Sequence, residues 1–486
     1  MNDTASGTYH RYANANLGLQ AGYDYMGRYF ADFSVAGVHS ARLPEGNRNA
    51  LSPSFTLGWN IAKESFLEDS FVDDLLLSAS YSNLNEDMDV YTMVNNAENY
   101  FYRYDPSWST GGGSFSWNEG VSTNITFSQS GSNPSLGFIH RKEFSVSLRG
   151  SFFNKLISTD LTFFNTDMDG FIVRNLSSFP SHLQDGLSGG TFMPAINNNI
   201  QNRKGLDFSV TAQKQLGKVH ATLGVVGTYL KTEWKKYDET IDPSATWRNS
   251  LKELVHEGQP LDAIEGYKCL GFYTVDDFDA EQLKAGKYVL REGLPKSKLT
   301  GASNIRPGDL KYEDVNNDGD IDSKDQVYLG KSGTYGAPLT LGFNLTLKYK
   351  NWTFFMLGNG QYGAKGMKNN SYYFMSGEAK YSVNARGRWT PETAETATHP
   401  RLTTKPTANG SASTFWLYST DRFNLRKVQL TYDFPKSMMG RVVKDLSVYV
   451  NGNDLLTISK HRKMMETSVG YAPQTRFYNL GLKVTL

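Results

Sequence analysis

The feature that most restricts this chain is an alternation of apolar and polar residues that recurs over about 9 to 11 positions, the length a tilted strand needs to cross a bilayer. From Thr340 to Lys350, Leu341, Phe343, Leu345, Leu347 and Tyr349 share one face, and Gly342, Asn344, Thr346 and Lys348 share the other. Ser54 to Ile61 repeats the pattern through Phe55, Leu57, Trp59 and Ile61, as do Phe144, Val146 and Leu148, then Leu446, Val448 and Val450. The last segment is the most regular, with Tyr478, Leu480, Leu482, Val484 and Leu486 set against Phe477, Asn479, Gly481, Lys483 and Thr485. Successive strand side chains point to opposite faces, so each segment presents one greasy surface and one wet one.

Two architectures use such strands. A soluble sandwich buries the apolar faces in a core, whereas a transmembrane barrel turns them to lipid. The connections discriminate. Tight turns are expected at Met26-Gly27, Phe153-Asn154-Lys155, Gln215-Leu216-Gly217 and Lys350-Asn351, with a longer link from Pro435 to Asp445. Long polar segments alternate with them, at about 38–51, 84–112, 167–204, 231–337, 364–415 and 457–472. Strict short–long alternation belongs to an up-and-down outer-membrane barrel and has no rationale in a sandwich. It gives about fourteen strands, with 94–130 the least clearly patterned stretch. The chain end agrees, because Asn479, Gly481, Val484 and Leu486 fit the polar-x-Gly-x-x-apolar-x-apolar ending that resembles the signal read by the barrel assembly machinery.

Composition narrows the class further. The mean hydropathy is −0.47 and no run approaches the roughly 18 apolar residues of a membrane-spanning helix, which excludes a helical membrane protein but not a barrel. Fifty basic and 49 acidic residues leave a net charge of +1, with no electrostatic footprint for nucleic acid. The single cysteine, Cys269, forbids an internal disulfide. Met1 to Ser6 carries neither the basic nor the apolar stretch of an export signal.

Residues 314–325 form the one motif that points to a cation. Asp314, Asn316, Asp318, Asp320 and Asp325 place oxygen ligands at loop positions 1, 3, 5, 7 and 12, and Gly319 stands at position 6, where an EF-hand-type loop turns sharply. The loop ends in Asp rather than Glu, as dockerin-type loops do; the alternative is a self-solvating Asx-rich turn. A structural calcium ion bracing a long extracellular loop is the expectation. Gly358-Asn359-Gly360-Gln361-Tyr362-Gly363 formally matches a dinucleotide fingerprint, yet Ala364-Lys365-Gly366-Met367 and the Asn-rich stretch beyond cannot start the helix that would hold a pyrophosphate. The eight histidines show no zinc spacing, and no nucleophile–base arrangement is signalled, so an enzyme is not expected. Aromatic residues in the long segments (Trp108, Tyr372, Tyr373, Phe374 and Tyr100-Phe101-Tyr102) are weak candidates for stacking on substrate, against membrane-interface girdles.

Several runs occur in the order in which they stand in one family. Tyr23-Asp24-Tyr25-Met26-Gly27-Arg28-Tyr29-Phe30 precedes Pro53-Ser54-Phe55-Thr56-Leu57-Gly58-Trp59-Asn60-Ile61, then Gly271-Phe272-Tyr273 and Arg306-Pro307-Gly308-Asp309-Leu310-Lys311-Tyr312. After these come Arg388-Trp389-Thr390-Pro391-Glu392, Phe423-Asn424-Leu425-Arg426-Lys427-Val428, Tyr432-Asp433-Phe434-Pro435-Lys436 and Val448-Tyr449-Val450-Asn451-Gly452-Asn453-Asp454-Leu455. The collinear set resembles the SusC/RagA family of TonB-dependent outer-membrane transporters, over about residues 20–486. The resemblance implies the C-terminal part of a 22-stranded barrel with long extracellular loops at about 231–337 and 364–415. It also implies import of glycan or peptide fragments, energised by a TonB complex pulling on a plug, with a SusD-like lipoprotein capping the outer mouth. The plug and about the first eight strands have no counterpart here. Because unpaired N–H and C=O groups cannot face hydrocarbon, the chain is expected to pair with a preceding part, to be a piece of a longer frame, or to close as a smaller barrel. The rival expectation is a secreted or surface calcium-stabilised β-protein that binds glycans.

Overall fold

The computed structural model describes residues 13–87, 107–118, 121–130, 132–174, 194–238, 255–375, 377, 381–439, 442–468 and 471–486, and for 107–118 and 121–130 only the backbone. The chain divides into two compact units, one of residues up to 214 with 224–249 and 255–261, the other of 215–223, 250–254 and 262–486.

The first unit carries β1 (Asn14–Tyr25), β2 (Tyr29–Ser40), β3 (Asn49–Asn60), β4 (Val72–Glu86), β5 (Ser107–Asn118), β6 (Val121–Ser130), β7 (Ile139–Phe152), β8 (Ile157–Arg174), β9 (Ala195–Leu216) and β10 (Val219–Lys236). These run antiparallel in the order β1-β2-β3-β4-β7-β8-β9-β10, with β5 and β6 forming a separate hairpin. The second unit carries β11 (Ala263–Tyr267), β12 (Cys269–Phe272), β13 (Lys296–Ser297), β14 (Leu310–Tyr312), β15 (Asp320–Ile321), β16 (Gln326–Lys331), β17 (Leu339–Tyr349), β18 (Trp352–Tyr362), β19 (Lys365–Met367), β20 (Leu417–Ser419), β21 (Arg422–Asp433), β22 (Asp445–Ile458) and β23 (Phe477–Thr485). Its large sheet runs β17-β18-β21-β22-β23, and the short strands pair among themselves in the long loops. Two short helices, α1 (Ala280–Lys284) and α2 (Arg462–Thr467), complete the second unit, and among the described residues no helix is long and apolar enough to cross a membrane.

The tight turns lie where the sequence places them. Met26 and Gly27 have φ of 56° and 61°, as both central residues of a type I′ hairpin require, and the Gly27 N–H donates to Asp24 Oδ1 at 3.0 Å. Phe153, Asn154 and Lys155 are all left-handed, as are Gly217 and Lys350. At the other ends the expected loops shorten. β2 and β3 take the two ends of 38–51 and leave 41–48 between them, and β8 and β9 extend to Arg174 and back to Ala195, inside the stretch read as loop. These extensions lack the alternating signal because both of their faces are polar or packed, but their backbones continue the ladder.

Register sorts the side chains into two faces. In the first unit Leu19, Val35 and Pro53 stand in one row, Ala21, Phe33, Phe55, Tyr81, Phe144 and Asn165 in the next, and Ala79, Val146, Phe163 and Leu206 in another. Tyr25, Tyr29 and Trp59 end this face at the short-turn edge. In the second unit Leu347, Phe354, Leu430, Val450 and Leu480 form one row, and Tyr349, Trp352, Tyr432, Val448 and Leu482 the next. Among the described residues nothing covers these rows. Tyr23 is 66% exposed, Phe144 45%, Val450 51% and Leu480 80%. The buried apolar clusters lie elsewhere, around Leu43, Leu136, Phe138 and Ala195 in the first unit and Tyr267, Leu310, Tyr312, Ile321 and Trp416 in the second. The sandwich alternative therefore fails, since its sheet faces would be the core.

Gly481 shows why the terminal strand needs its glycine. It pairs with Tyr449, whose ring lies across it, and a Cβ there would collide with the ring. Glycine shielded by an aromatic neighbour keeps the strand flat without an exposed backbone gap.

These faces make a paired test. Leu430→Arg should cost about 2–4 kcal/mol of folding free energy in lipid, and Gln429→Arg, on the opposite face, close to nothing. Denaturant titration in phospholipid vesicles measures both, and equal costs would contradict the outward reading.

Candidate functional site

The polar face of the first unit's sheet is built by the same register that sorts the apolar rows. Arg141, Glu143, Ser145 and Ser147 of β7 face Met168, Thr166, Phe164 and Thr162 of β8, and these face Gln201, Arg203, Gly205 and Asp207 of β9. A cavity of about 600 Å³ lies on this surface, lined among others by Glu86, Arg141, Glu143, Thr166, Asp207 and Thr228. Its groups are tied to one another. Glu143 accepts from Arg141 at 2.8 Å and from Thr166 at 3.0 Å, Asp207 accepts from Thr228 at 2.7 Å, and Ser147 bonds Thr162 at 2.8 Å. Such a surface holds polar solutes by exchangeable hydrogen bonds, and among the described residues no base is poised there against a nucleophile.

In the second unit the family-marker runs meet as structural joints. Gly308, at φ +92°, lies under Trp389, whose ring a Cβ would strike. The next residue, Asp309, is 3% exposed; it accepts from the Arg306 N–H at 2.9 Å, Asn409 Nδ2 at 2.8 Å and the Arg401 guanidinium at 2.9 Å. Arg426 and Asp454 fall where the β21–β22 register shifts, and the bulged residues ion-pair at 2.6 Å. At the hairpin end of the first unit, Glu64 accepts from Tyr29 at 2.8 Å and Trp59 at 3.0 Å.

The acidic loop adopts an EF-hand-like path. Gly319, at φ +83°, donates its N–H to Asp314 Oδ2 at 2.9 Å, and Asn316 and Asp318 accept from the N–H groups two residues on, each at 3.0 Å. Parallel pairing of β15 with β13 and burial of Ile321 anchor the loop. Asp325 is fully buried and accepts from the Val315 and Asp322 N–H groups at 2.9 and 2.8 Å, while Asp314 Oδ1 is buried without a hydrogen-bond partner. Burial pushes the Asp325 carboxyl above the usual carboxylate range. Asp320 turns away to Lys298 at 2.6 Å, which fits a seventh position that ligates through its main-chain carbonyl. Among the described residues, no three Asp, Glu, His or Cys side chains are drawn into one ready metal cluster.

Tyr372 and Tyr373 pack edge to face at 5.1 Å, and Phe374 packs against Trp416 at 4.6 Å. Trp416 is a core residue, 2% exposed, that no periodicity or motif singles out. Trp108 lies in β5, where only backbone is described, and Tyr100 to Tyr102 fall outside the described residues. Gly358 and Gly360 sit within antiparallel β18, so no strand-to-helix phosphate cradle exists there. Burial raises the Cys269 thiol, which removes it as a ready nucleophile.

No family model matches the chain. TonB-dependent receptor P3 of Formosa agariphila is 21% identical over 455 residues, covering 90% of this chain and 40% of that receptor. TonB-dependent receptor P26 of the same organism is 23% identical, covering 90% and 41%. The solved RagAB peptide importer in its open-open state superposes with a TM-score of 0.72 at 18% identity, over 98% of this chain and 47% of that one. The chain resembles SusC/RagA-like TonB-dependent transporters. It has the all-β fold of an outer-membrane β-barrel, and the proteins it matches are receptors and an importer. The SusC/RagA-like proteins it matches are longer: this chain spans about two fifths of the curated receptors and about half of the RagAB chain.

Asp309→Asn should free Arg401 from its charge partner and cost about 3–5 kcal/mol locally, as breaking a buried pair does. Limited proteolysis of the 300–410 region should then accelerate while the strands stay protected; unchanged cleavage would refute the joint.

Proposed function

We propose that this chain is barrel wall and outer loops of a SusCD-like importer that brings oligosaccharide or peptide nutrients across the outer membrane. The observation that carries the reading is the pairing of an uncovered apolar face with a hydrogen-bonded polar face on the same strands. Lipid wets the first, and hydrated substrate passes the second. Supporting it are the TonB-dependent receptors and the RagAB importer that the chain resembles. In this reading a SusD-like surface lipoprotein closes the outer mouth. A TonB complex supplies energy through a plug. A secreted glycan-binding β-protein would leave the apolar rows in water, where a surface of that extent drives aggregation.

The protein should appear in the outer-membrane fraction and migrate faster on a detergent gel unheated than boiled. Deleting its gene should abolish growth on the oligomeric nutrient while growth on the monomer persists. Recovery as a compact monomer without detergent would end the proposal.

Calcium is assigned to the acidic loop on the same footing, held by Asp314, Asn316, Asp318, Asp325 and the Asp320 carbonyl. The fit rests on the Gly319 turn and on Asp314 Oδ1, buried with no hydrogen-bond donor. When bound, the ion supplies positive charge that offsets the buried carboxylates and fixes the loop. The pH dependence stems from Asp325. Its folded pKa lies above its unfolded value, so without cation the contribution of Asp325 itself is largest at acidic pH and is lost as pH rises through the raised value, whereas Asp318, lowered by the Asp320 N–H and Asn316, contributes in the opposite sense. Calcium competes with that proton and should bind more weakly as pH falls. Calorimetry with calcium from pH 7.5 to about 5 should show this loss, and Asp325→Asn should weaken binding at least about tenfold; heat signals indifferent to both would remove calcium from the loop.

A further inference from the structure

One cavity in the second unit stands apart in its charge. It has a volume of about 340 Å³ and lies where the segment after β19 meets the turn after β22. Lys368 enters from the first, and Lys460, His461 and Lys463 from the second. Tyr372 and Tyr373 supply aromatic wall. Among the described residues no carboxylate lines it, and none pairs with the three ammonium groups. The one acid of the neighbouring helix, Glu466, is held by Arg462 at 3.0 Å and Arg476 at 3.1 Å.

Lys460 and Lys463 are exposed and Lys368 is half-buried, so water carries much of the repulsion among these like charges, and a ligand that displaces that water meets cations with no acid beside them. The field is felt by the imidazole between them. Burial, then Lys368 and Lys460, lower the pKa of His461, and burial, then Lys368, lower that of His399. An anion placed in the cavity would relieve the repulsion and be drawn in by it. Lysine, a flexible point charge with three donors, suits a tetrahedral or planar oxyanion in varied orientation better than one rigid bidentate pose. The tyrosines decide what carries the anion. The two rings meet edge to face at 5.1 Å, so they wall the cavity from two directions, and an aromatic face is the kind of surface a sugar ring covers. A peptide added as an extra strand would ask for a strand edge, and the lining residues all lie outside the strands.

We propose that this cavity is an oxyanion subsite for an acidic oligosaccharide, in which Lys368, Lys460 and Lys463 hold a sulfate or carboxylate while Tyr372 and Tyr373 pack on the sugar. The inference rests on the importer reading and names the substrate class for it. The electrostatic part is salt-sensitive, and contacts of this kind weaken steeply with ionic strength.

The test is calorimetry on the whole chain in detergent, titrated with four probes of matched length: a neutral oligosaccharide, a uronic-acid oligosaccharide, a sulfated oligosaccharide and an acidic peptide. Lipopolysaccharide micelles serve as a fifth probe. The acidic sugars should bind at least about tenfold more tightly than the neutral one, and the gap should close in high salt. Whichever of sulfate or carboxylate binds more tightly identifies the anion. Lys460→Gln with Lys463→Gln should remove most of that gap, and Lys460→Arg with Lys463→Arg should keep it. Unchanged heat-modifiable migration certifies that each variant is folded. Equal binding of neutral and acidic sugars, or glutamine variants that bind as wild type, overturns the subsite; so does preference for the acidic peptide or lipopolysaccharide. None of these outcomes touches outer-membrane residence or uptake of the nutrient, so the subsite can fail while the importer reading stands.

Discussion

Everything in this protein depends on the environment of one surface, the uncovered rows of Leu, Phe, Val and Tyr on the large sheet strands. In water such rows would be an unstable exposure of apolar area, worth about 25 cal/mol for every Å² left wet. In lipid they are the favourable state, and the same strands then have no reason to fold over a core. The molecule is inside-out accordingly. Its buried apolar clusters, Leu43 with Leu136 and Tyr267 with Ile321 and Trp416, are in the segments outside the regular alternation. There the chain leaves lipid, meets water, and must bury side chains in the ordinary way.

The same constraint explains why the residues that mark the family are not chemical. A strand in hydrocarbon has to satisfy each backbone group through its ladder, so irregularities are confined to places where side chains repair them. Gly481 beneath Tyr449, Arg426 against Asp454 at a bulge, and Asp24 capping the Met26-Gly27 turn are repairs of this kind. Asp309, with Arg401 and Asn409, does the equivalent in the loops, joining segments about a hundred residues apart. Residues with such tasks are needed because a backbone depends on them, whatever passes along the wall.

Legibility in the sequence tracks physical range. The strands of the large sheet are readable because period-two alternation is local and lipid imposes it without exception; Leu341 to Tyr349 needs no partner to declare its faces. The tight turns are readable because Met26-Gly27 and Gly217 sit in conformations that few residues tolerate cheaply. Strand ends are not. Once β8 and β9 pass beyond the apolar band, toward Arg174 and Ala195, nothing enforces alternation and the ladder continues on polar sequence. The polar wall is half legible: alternation lets Glu143 and Thr166 each be placed on a polar face, but only register brings them within 3.0 Å. The lysine cavity is hidden altogether, because β20, β21 and β22 intervene between Lys368 and Lys460, and no spacing rule reaches that far.

The loops of the second unit thus hold two opposite electrostatic arrangements on one scaffold. In the acidic loop, carboxylates are concentrated and turned toward backbone N–H groups by the Gly319 turn, which leaves Asp314 Oδ1 buried and without a donor. In the lysine cavity, ammonium groups are concentrated with no acid among the described lining residues. Either could be neutralised by pairing with the other, and long flexible side chains make such pairing easy to evolve. The fold instead pairs Asp320 with Lys298 and Glu466 with Arg462 and Arg476, and leaves these two sets without each other. Charges segregated in this way are what the two proposals rest on, a cation in the acidic loop and a substrate anion in the lysine cavity.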